Sequence, residues 1–378
     1  MLSTWPSSHH SPGKKADSSV KTEYVTMTED AIDEAAIARA GRILKDGGLV
    51  AFPTETVYGL GGDALNPESS KKIYAAKGRP SDNPLIVHVC RWEDVAPIVE
   101  EIPKEAEKLA AAFWPGPMTM IFNKSSLVPY ETTGGLDTVA VRFPSNKIAA
   151  AMIRAGGGYI AAPSANKSGR PSPTEALYCK EDLDGKVEMI IDGGQVGIGL
   201  ESTIIDLTEE KPTILRPGYI TKEMLEKVLG EVDVDRTIIA PNSGIRPKAP
   251  GMKYRHYAPQ GDLAIVEGSP EHVVSYINEA CGKAKAEGKV TGIICTDETR
   301  DRYQADYVYS AGTRSDEETV ARQLFKILRE FDDDGAQVLF SESFAGGGIC
   351  MAIMNRLMKA AGQKVINADR ESAEGGST

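Results

Sequence analysis

Apolar positions along the chain follow two rhythms, helical spacing in some stretches and short unbroken runs in others. An alanine-rich run follows Thr28-Glu29-Asp30, reaches Lys45 and stops at Gly47-Gly48, which predicts a capped amphipathic helix with a glycine stop. Residues 49–52 form a short apolar run closed by Pro53, a predicted strand. Asn66-Pro67 opens a predicted helix through Ala76, and 84–89 reads as a buried strand. Helical spacing covers 92–100, 104–113 and 146–154. Strand patterns fall at 118–122, 138–143, 159–162, 189–192, 202–207 and 213–216, before a helix at 222–229. This irregular mixing predicts an α/β region of the α+β, mixed-sheet kind rather than a plain Rossmann unit.

The pattern fades over 231–261, where Pro241, Pro247, Pro250 and Pro259 mark a linker. Its length is several times that of an ordinary loop, so a function or mobility is expected of it. From 262 to 362 a regular alternation predicts a smaller α/β domain with a parallel sheet: strand 263–267, helix 270–287, strands 290–295 and 305–309, helix 317–331, strand 337–340, helix 349–361. The organisation expected is a disordered leader over 1–28, a catalytic domain over 29–230, a linker or lid over 231–261, a C-terminal domain over 262–362 and a disordered tail over 363–378.

The 378 residues carry a net charge of -11, which makes broad nucleic-acid binding unfavourable because phosphate contacts need a basic surface. A local basic pocket for one small anion is compatible with that balance. The five cysteines include no C-x-x-C pair, so neither a disulfide framework nor a zinc site is expected. No apolar run reaches the roughly 20 residues of a membrane span, and the Ser/Pro/Lys-rich start lacks a signal-peptide core. A cytoplasmic location and no membrane partner are the expectations.

Six segments carry candidate chemistry. Pro53-Thr54-Glu55-Thr56-Val57-Tyr58-Gly59-Leu60-Gly61 places hydroxyls and glycines at a strand end, a polar pocket or simply a tight turn. Lys77-Gly78-Arg79-Pro80, with Asn83 and His88 following, offers a point charge and a bidentate fork suited to phosphate oxygens; helix capping by these cations is the alternative. His88 on an apolar strand also fits a satisfied core histidine. Arg142 lies on an apolar strand and needs a carboxylate, from the protein or from a substrate. Residues 161–173, Ala-Ala-Pro-Ser-Ala-Asn-Lys-Ser-Gly-Arg-Pro-Ser-Pro, resemble a nucleotide loop in composition but not a Walker sequence. Glu201-Ser202-Thr203-Ile204-Ile205-Asp206 and Leu215-Arg216-Pro217-Gly218 each end a strand with polar groups, and either is compatible with a plain hairpin end. Pro250-Gly251-Met252-Lys253-Tyr254-Arg255-His256-Tyr257-Ala258-Pro259 interleaves cations and tyrosines, fit to stack on a base and neutralise phosphate, or to serve as a flexible basic linker.

Together the PTETVYGLG, KGRPSDNPLIVHV, SANKSGRPSPT, ESTIID and ILRPG runs resemble the YrdC-type threonylcarbamoyl-AMP synthase family, and PGMKYRHYAP with the second domain resembles its longer Sua5 form. The resemblance spans residues of about 29 to 362. It implies a YrdC-like catalytic domain joined by a linker to a smaller Rossmann-like Sua5 domain. It implies a nucleotidyltransferase that forms threonylcarbamoyl-AMP and pyrophosphate from L-threonine, bicarbonate or CO2, and ATP with Mg2+. The product would pass to a tRNA threonylcarbamoyl-transferase complex, with weak or no direct tRNA binding by this chain. Position by position, the resemblance makes Thr56, His88, Arg142, Ser202 and the backbone of Ala162 threonine contacts. It makes Lys77, Arg79, Asn83, Thr138, Ser164, Ser172 and Arg216 nucleotide contacts, with Lys77 and Arg79 also catalytic. His256 or Tyr257 would reach the nucleotide, and no residue is expected to ligate a metal. An RNA-binding module on the same fold, without catalysis, is the rival expectation.

Overall fold

The computed structural model describes residues 20–239, 249 and 256–375. The first part contains β1 (Glu23–Thr26), α1 (Glu34–Lys45), β2 (Val50–Phe52), β3 (Gly59–Asp63), α2 (Pro67–Lys77), β4 (Ile86–His88), α3 (Lys104–Phe113), β5 (Met118–Asn123), β6 (Thr138–Arg142), α4 (Lys147–Ala155), β7 (Ile160–Ala161), α5 (Ala176–Leu183), β8 (Met189–Asp192), β9 (Thr203–Asp206), β10 (Thr213–Arg216), α6 (Lys222–Leu229), β11 (Asp233–Val234) and α7 (Arg236–Ile239). These strands form one mixed sheet in the order β1-β8-β2-β3-β7-β4-β6-β5-β9-β10-β11. The second part contains β12 (Asp262–Glu267), α8 (Pro270–Ala286), β13 (Thr291–Cys295), β14 (Tyr307–Ser310), α9 (Glu317–Asp333), β15 (Val338–Glu342), α10 (Ile349–Ala360), β16 (Val365–Asn367) and α11 (Ala368–Gly375). Its sheet runs β14-β13-β15-β12-β16, and every pairing in it is parallel.

The apolar runs form strands because both faces of each sheet are covered, so neither parity of side chain has to be polar. Leu49 and Ala51 enter the core on one face of the large sheet, while Val50 and Phe52 enter the core under α1 and α4 on the other. The α1 helix starts where the Asp33 carboxylate accepts the Ala36 N–H at 3.0 Å. It crosses α4 so closely that a Cβ on Gly41 would lie 2.6 Å from the Ala155 carbonyl oxygen. In the second sheet Leu263 and Ile265 pack under α9 and α10, and Ala264 and Val266 under α8 and α11. Val57, Leu200 and Tyr257 are buried in the α9–α10 core, so the two parts share apolar packing. Each such side chain contributes about 1.5–3 kcal/mol on burial.

Six expectations change. The leader expected over 1–28 contains β1, which pairs in parallel with β8, and the α1 cap is Asp33 rather than the 28–30 segment. Residues 92–100 form two 3-10 turns rather than a helix, with Pro97 inside the second (Ala96–Ile98). The linker begins with ordered β11 and α7, and the tail expected to be disordered supplies β16 and α11. The glycine-rich run ending at Gly61, read as a polar pocket or a tight turn, enters strand β3, the fourth of eleven in the large sheet.

Candidate active site

Strand ends and loops of the large sheet converge on one cleft. Thr56, Lys77, Arg79, His88, Arg142, Ala162, Ser164, Ser202, Arg216, His256 and Tyr257 all line it. Asn83 is buried just behind, with its carbonyl Oδ1 lacking a hydrogen-bond partner and its backbone oxygen accepting the Arg79 Nε–H at 3.2 Å. Ser172 is buried and reaches the cleft through Glu201, which lines it. Thr138 is not part of the lining: it starts β6, four residues from Arg142, and at strand rise that is roughly 13 Å away.

The end of α2 decides between phosphate cradle and helix cap. Gly78 takes the left-handed conformation at φ 61, and the N–H groups of Gly78 and Arg79 bond the Ala75 and Tyr74 carbonyls. The helix end is therefore closed by backbone, and the cations turn away from it. The Lys77 ammonium donates to the Ser164 carbonyl and, at 2.5 Å, to that of Asn166. Arg79 donates to the Asn83 and Pro84 carbonyls. Burial, reinforced by Arg79, pulls the Lys77 pKa well below the usual lysine value, and burial brings Arg79 down to about 10. Both cations are held by neutral oxygens, which leaves their charge uncancelled.

On the opposite wall β4 and β6 run in parallel register, which sets His88 beside Arg142. His88 Nδ1 lies 3.0 Å from the Ile86 carbonyl and donates to it. Burial and then Arg142 hold His88 near 3, so it is neutral at physiological pH while still lining the cleft. Arg142 donates to Thr56 Oγ1 at 2.9 Å and forms an ion pair with Glu55 at 2.7 Å, while its Nε is buried without an acceptor. Arg216 Nε donates to the Ser202 carbonyl at 3.0 Å and Nη2 to its hydroxyl at 3.2 Å.

His256 and Tyr257 close the cleft. Tyr257, at φ 63, packs its ring 4.9 Å from that of Phe325, and the next N–H, of Ala258, donates to the Gly169 carbonyl. His256 Nε2 is buried without a partner, and burial followed by Arg79 lowers its pKa to about 3. Lys253 and Arg255 of the expected lid lie outside the described residues. Among the described residues no group of three or more His, Cys, Asp or Glu is placed to hold a metal ion.

Sequence reasoning missed Glu55, Glu201, Arg329, Arg356 and Lys359. Glu55 had a signal, since a buried arginine on an apolar strand requires a carboxylate. Lys359, on α10, faces Arg356, Arg216 and Glu201, and burial followed by these arginines lowers it to about 7.

Family models match residues 42–218, described as "Telomere recombination" (Sua5, YciO, YrdC), and residues 220–362, described as "Threonylcarbamoyl-AMP synthase, C-terminal domain". The threonylcarbamoyl-AMP synthase of Pyrococcus abyssi is 49% identical over 90% of this chain and 98% of its own. The chain belongs to the Sua5 family of threonylcarbamoyl-AMP synthases. The Bacillus subtilis synthase is 47% identical over 92% of this chain and 99% of its own. The crystal structure of P. abyssi Sua5 complexed with L-threonine superposes at a TM-score of 0.87, with 47% identity over 92% of this chain and 99% of that one. The large mixed sheet and the parallel sheet are thus the two parts of a Sua5 enzyme. No helix among the described residues is long and apolar enough to cross a membrane.

Proposed function

We propose that this chain makes threonylcarbamoyl-AMP from L-threonine, CO2 or bicarbonate, and Mg2+-ATP. The observation that carries this reading is the convergence of Lys77, Arg79, Arg142 and Arg216 on one cleft of an otherwise acidic protein. Arg142, with Thr56, His88, Ser202 and the Ala162 backbone, is the threonine side, and its unpartnered Nε suits a substrate carboxylate. Lys77, Arg79, Asn83, Ser164, Ser172 and Arg216, with His256 and Tyr257, are the nucleotide side.

The threonine amine adds to CO2 and loses a proton, giving a carbamate. A carbamate oxygen then attacks the α-phosphorus, the bond to the β-phosphate oxygen breaks, and pyrophosphate leaves. The step asks for orientation and neutralisation of phosphate charge, not for a covalent enzyme nucleophile. Lys77 and Arg79 supply that charge, while neutral His88 and His256 can hydrogen-bond without adding to it. The carbamate and the mixed anhydride are water-labile, which gives the segment around His256 and Tyr257 its role as a cover. Mg2+ enters with ATP as part of the substrate, and the product goes on to a tRNA-modifying transferase.

Pyrophosphate release from the purified chain tests this. Release that requires threonine and bicarbonate, with serine much weaker, is expected. No release under any combination would overturn it.

A further inference from the structure

The α9 and α10 helices send two arginines into the back of the nucleotide side, and both are fully buried. Arg329 Nε and Nη2 donate to the Pro171 carbonyl at 3.1 and 2.7 Å. Its Nη1 and Nη2 also donate to the two Asp182 oxygens at 3.1 and 2.7 Å. Asp182 in turn accepts the Lys167 N–H at 2.9 Å and the Arg170 side chain at 2.5 Å. One guanidinium therefore fixes both ends of the 167–171 loop. Arg356 Nε donates to Glu201 Oε2 at 3.0 Å, Nη2 to the Glu201 carbonyl at 3.2 Å and Nη1 to the Pro217 carbonyl at 2.5 Å. The other Glu201 oxygen accepts the Ser172 hydroxyl at 2.5 Å. Arg356 thus ties together Glu201, Ser172 and the Pro217 segment that follows Arg216.

We infer that Arg329 and Arg356 are positioning residues for ATP, and that the C-terminal part serves catalysis by setting the shape of the 164–173 loop. The inference rests on the assignment of that loop to the nucleotide. Neither arginine needs to touch substrate. Each acts through a carboxylate, Asp182 or Glu201, that the large-sheet part supplies. On the threonine side Arg142 and His88 are held differently, by Glu55 and by the Ile86 carbonyl, whereas Ser202 directly follows Glu201 and bonds Arg216. Disturbing α9 should therefore separate the two substrates, and disturbing α10 should do so less cleanly.

The test is calorimetric binding of ATP, and separately of threonine, to the full chain and to Arg329→Met, Arg329→Lys, Arg356→Met and Arg356→Lys. Folding of each is checked by circular dichroism. ATP affinity is expected to fall about tenfold or more in the methionine variants and by a smaller factor in the lysine variants, which keep charge but lose the fork. Threonine affinity should stay within about twofold in the Arg329 variants, none of whose partners is a threonine contact, and should fall less than ATP affinity in the Arg356 variants, where Ser202 adjoins Glu201. If a methionine variant does not fold, its lysine counterpart decides. ATP and threonine affinities that fall by equal factors, or an unchanged ATP affinity in the folded variants, would overturn the inference. A wild-type chain that releases no pyrophosphate but shows the ATP-selective loss would defeat only the proposed reaction. A wild-type chain that binds no ATP would sink both.

Discussion

Lys77 and Arg79 at the cleft and Arg329 and Arg356 behind it are enclosed cations satisfied in different ways. The first pair donates to the carbonyls of Ser164, Asn166, Asn83 and Pro84, neutral oxygens that solvate a charge without cancelling it. The second pair meets the carboxylates of Asp182 and Glu201, which do cancel it. The type of partner, not the number of cations, therefore decides where a positive potential survives in a chain of net charge -11. Carbonyl-held cations remain available to an anionic substrate, whereas carboxylate-held ones join the two parts.

The largest expected effect breaks the second class. Arg356→Met takes the ion-pair partner from buried Glu201 and should lower stability by about 3–5 kcal/mol, read by urea denaturation, while Arg329→Met should cost less because Asp182 keeps Arg170. A loss no larger than that of an exposed pair would place these arginines outside the class. Next comes acid. Burial alone would raise the Glu201 carboxyl, but Arg356 and Arg216 override it and hold it near 2. A depressed folded pKa gives stability that is present above about 4.5 and lost as pH falls through 2, on the order of 3 kcal/mol. Urea midpoints between pH 5 and 3 should show that decline, and Glu201→Gln should flatten it.

The first class predicts the opposite balance. Lys77→Met should slow pyrophosphate release by about two orders of magnitude. It should not lower the melting temperature at pH 7, because the folded state already disfavours the charged lysine. A fall in both would move Lys77 into the structural class. The smallest effect concerns Arg142, which combines Glu55 with an open Nε. Arg142→Ala should raise the threonine KM about tenfold and the ATP KM by no more than about twofold. Equal rises would make it purely structural.

Much of this was legible in the chain. Four strands of the second sheet could be read because they are apolar runs between helices with regular stripes, as in α9, whereas the three-residue β16 lies in a polar tail with no such run. Strand β3 could not, because Gly59-Leu60-Gly61-Gly62-Asp63 has neither β propensity nor alternation; Gly61 and Gly62 are close-packed against Phe52, Ile160, Ile73 and Leu49. Lys77 and Arg79 stood out because two cations flank a glycine at a helix end. The choice between cap and cradle needed the backbone bonds of Gly78. Glu201 and Arg356 are 155 residues apart, and each looks like an ordinary charged residue within its own segment. Pairings of that kind leave no local pattern to read.

The buried position of Arg356 also bears on how the enzyme comes into being on the ribosome. The last cleft residue of the large sheet, Arg216, is synthesised 140 residues before Arg356 (356 − 216). At ordinary elongation rates that gap lasts roughly 7–28 s. During that interval the large-sheet half of the nascent chain is present, but Glu201 lacks the guanidinium that holds it. A chain truncated before α10 would carry the cleft's own residues without the Arg356 contacts to Glu201 and Pro217.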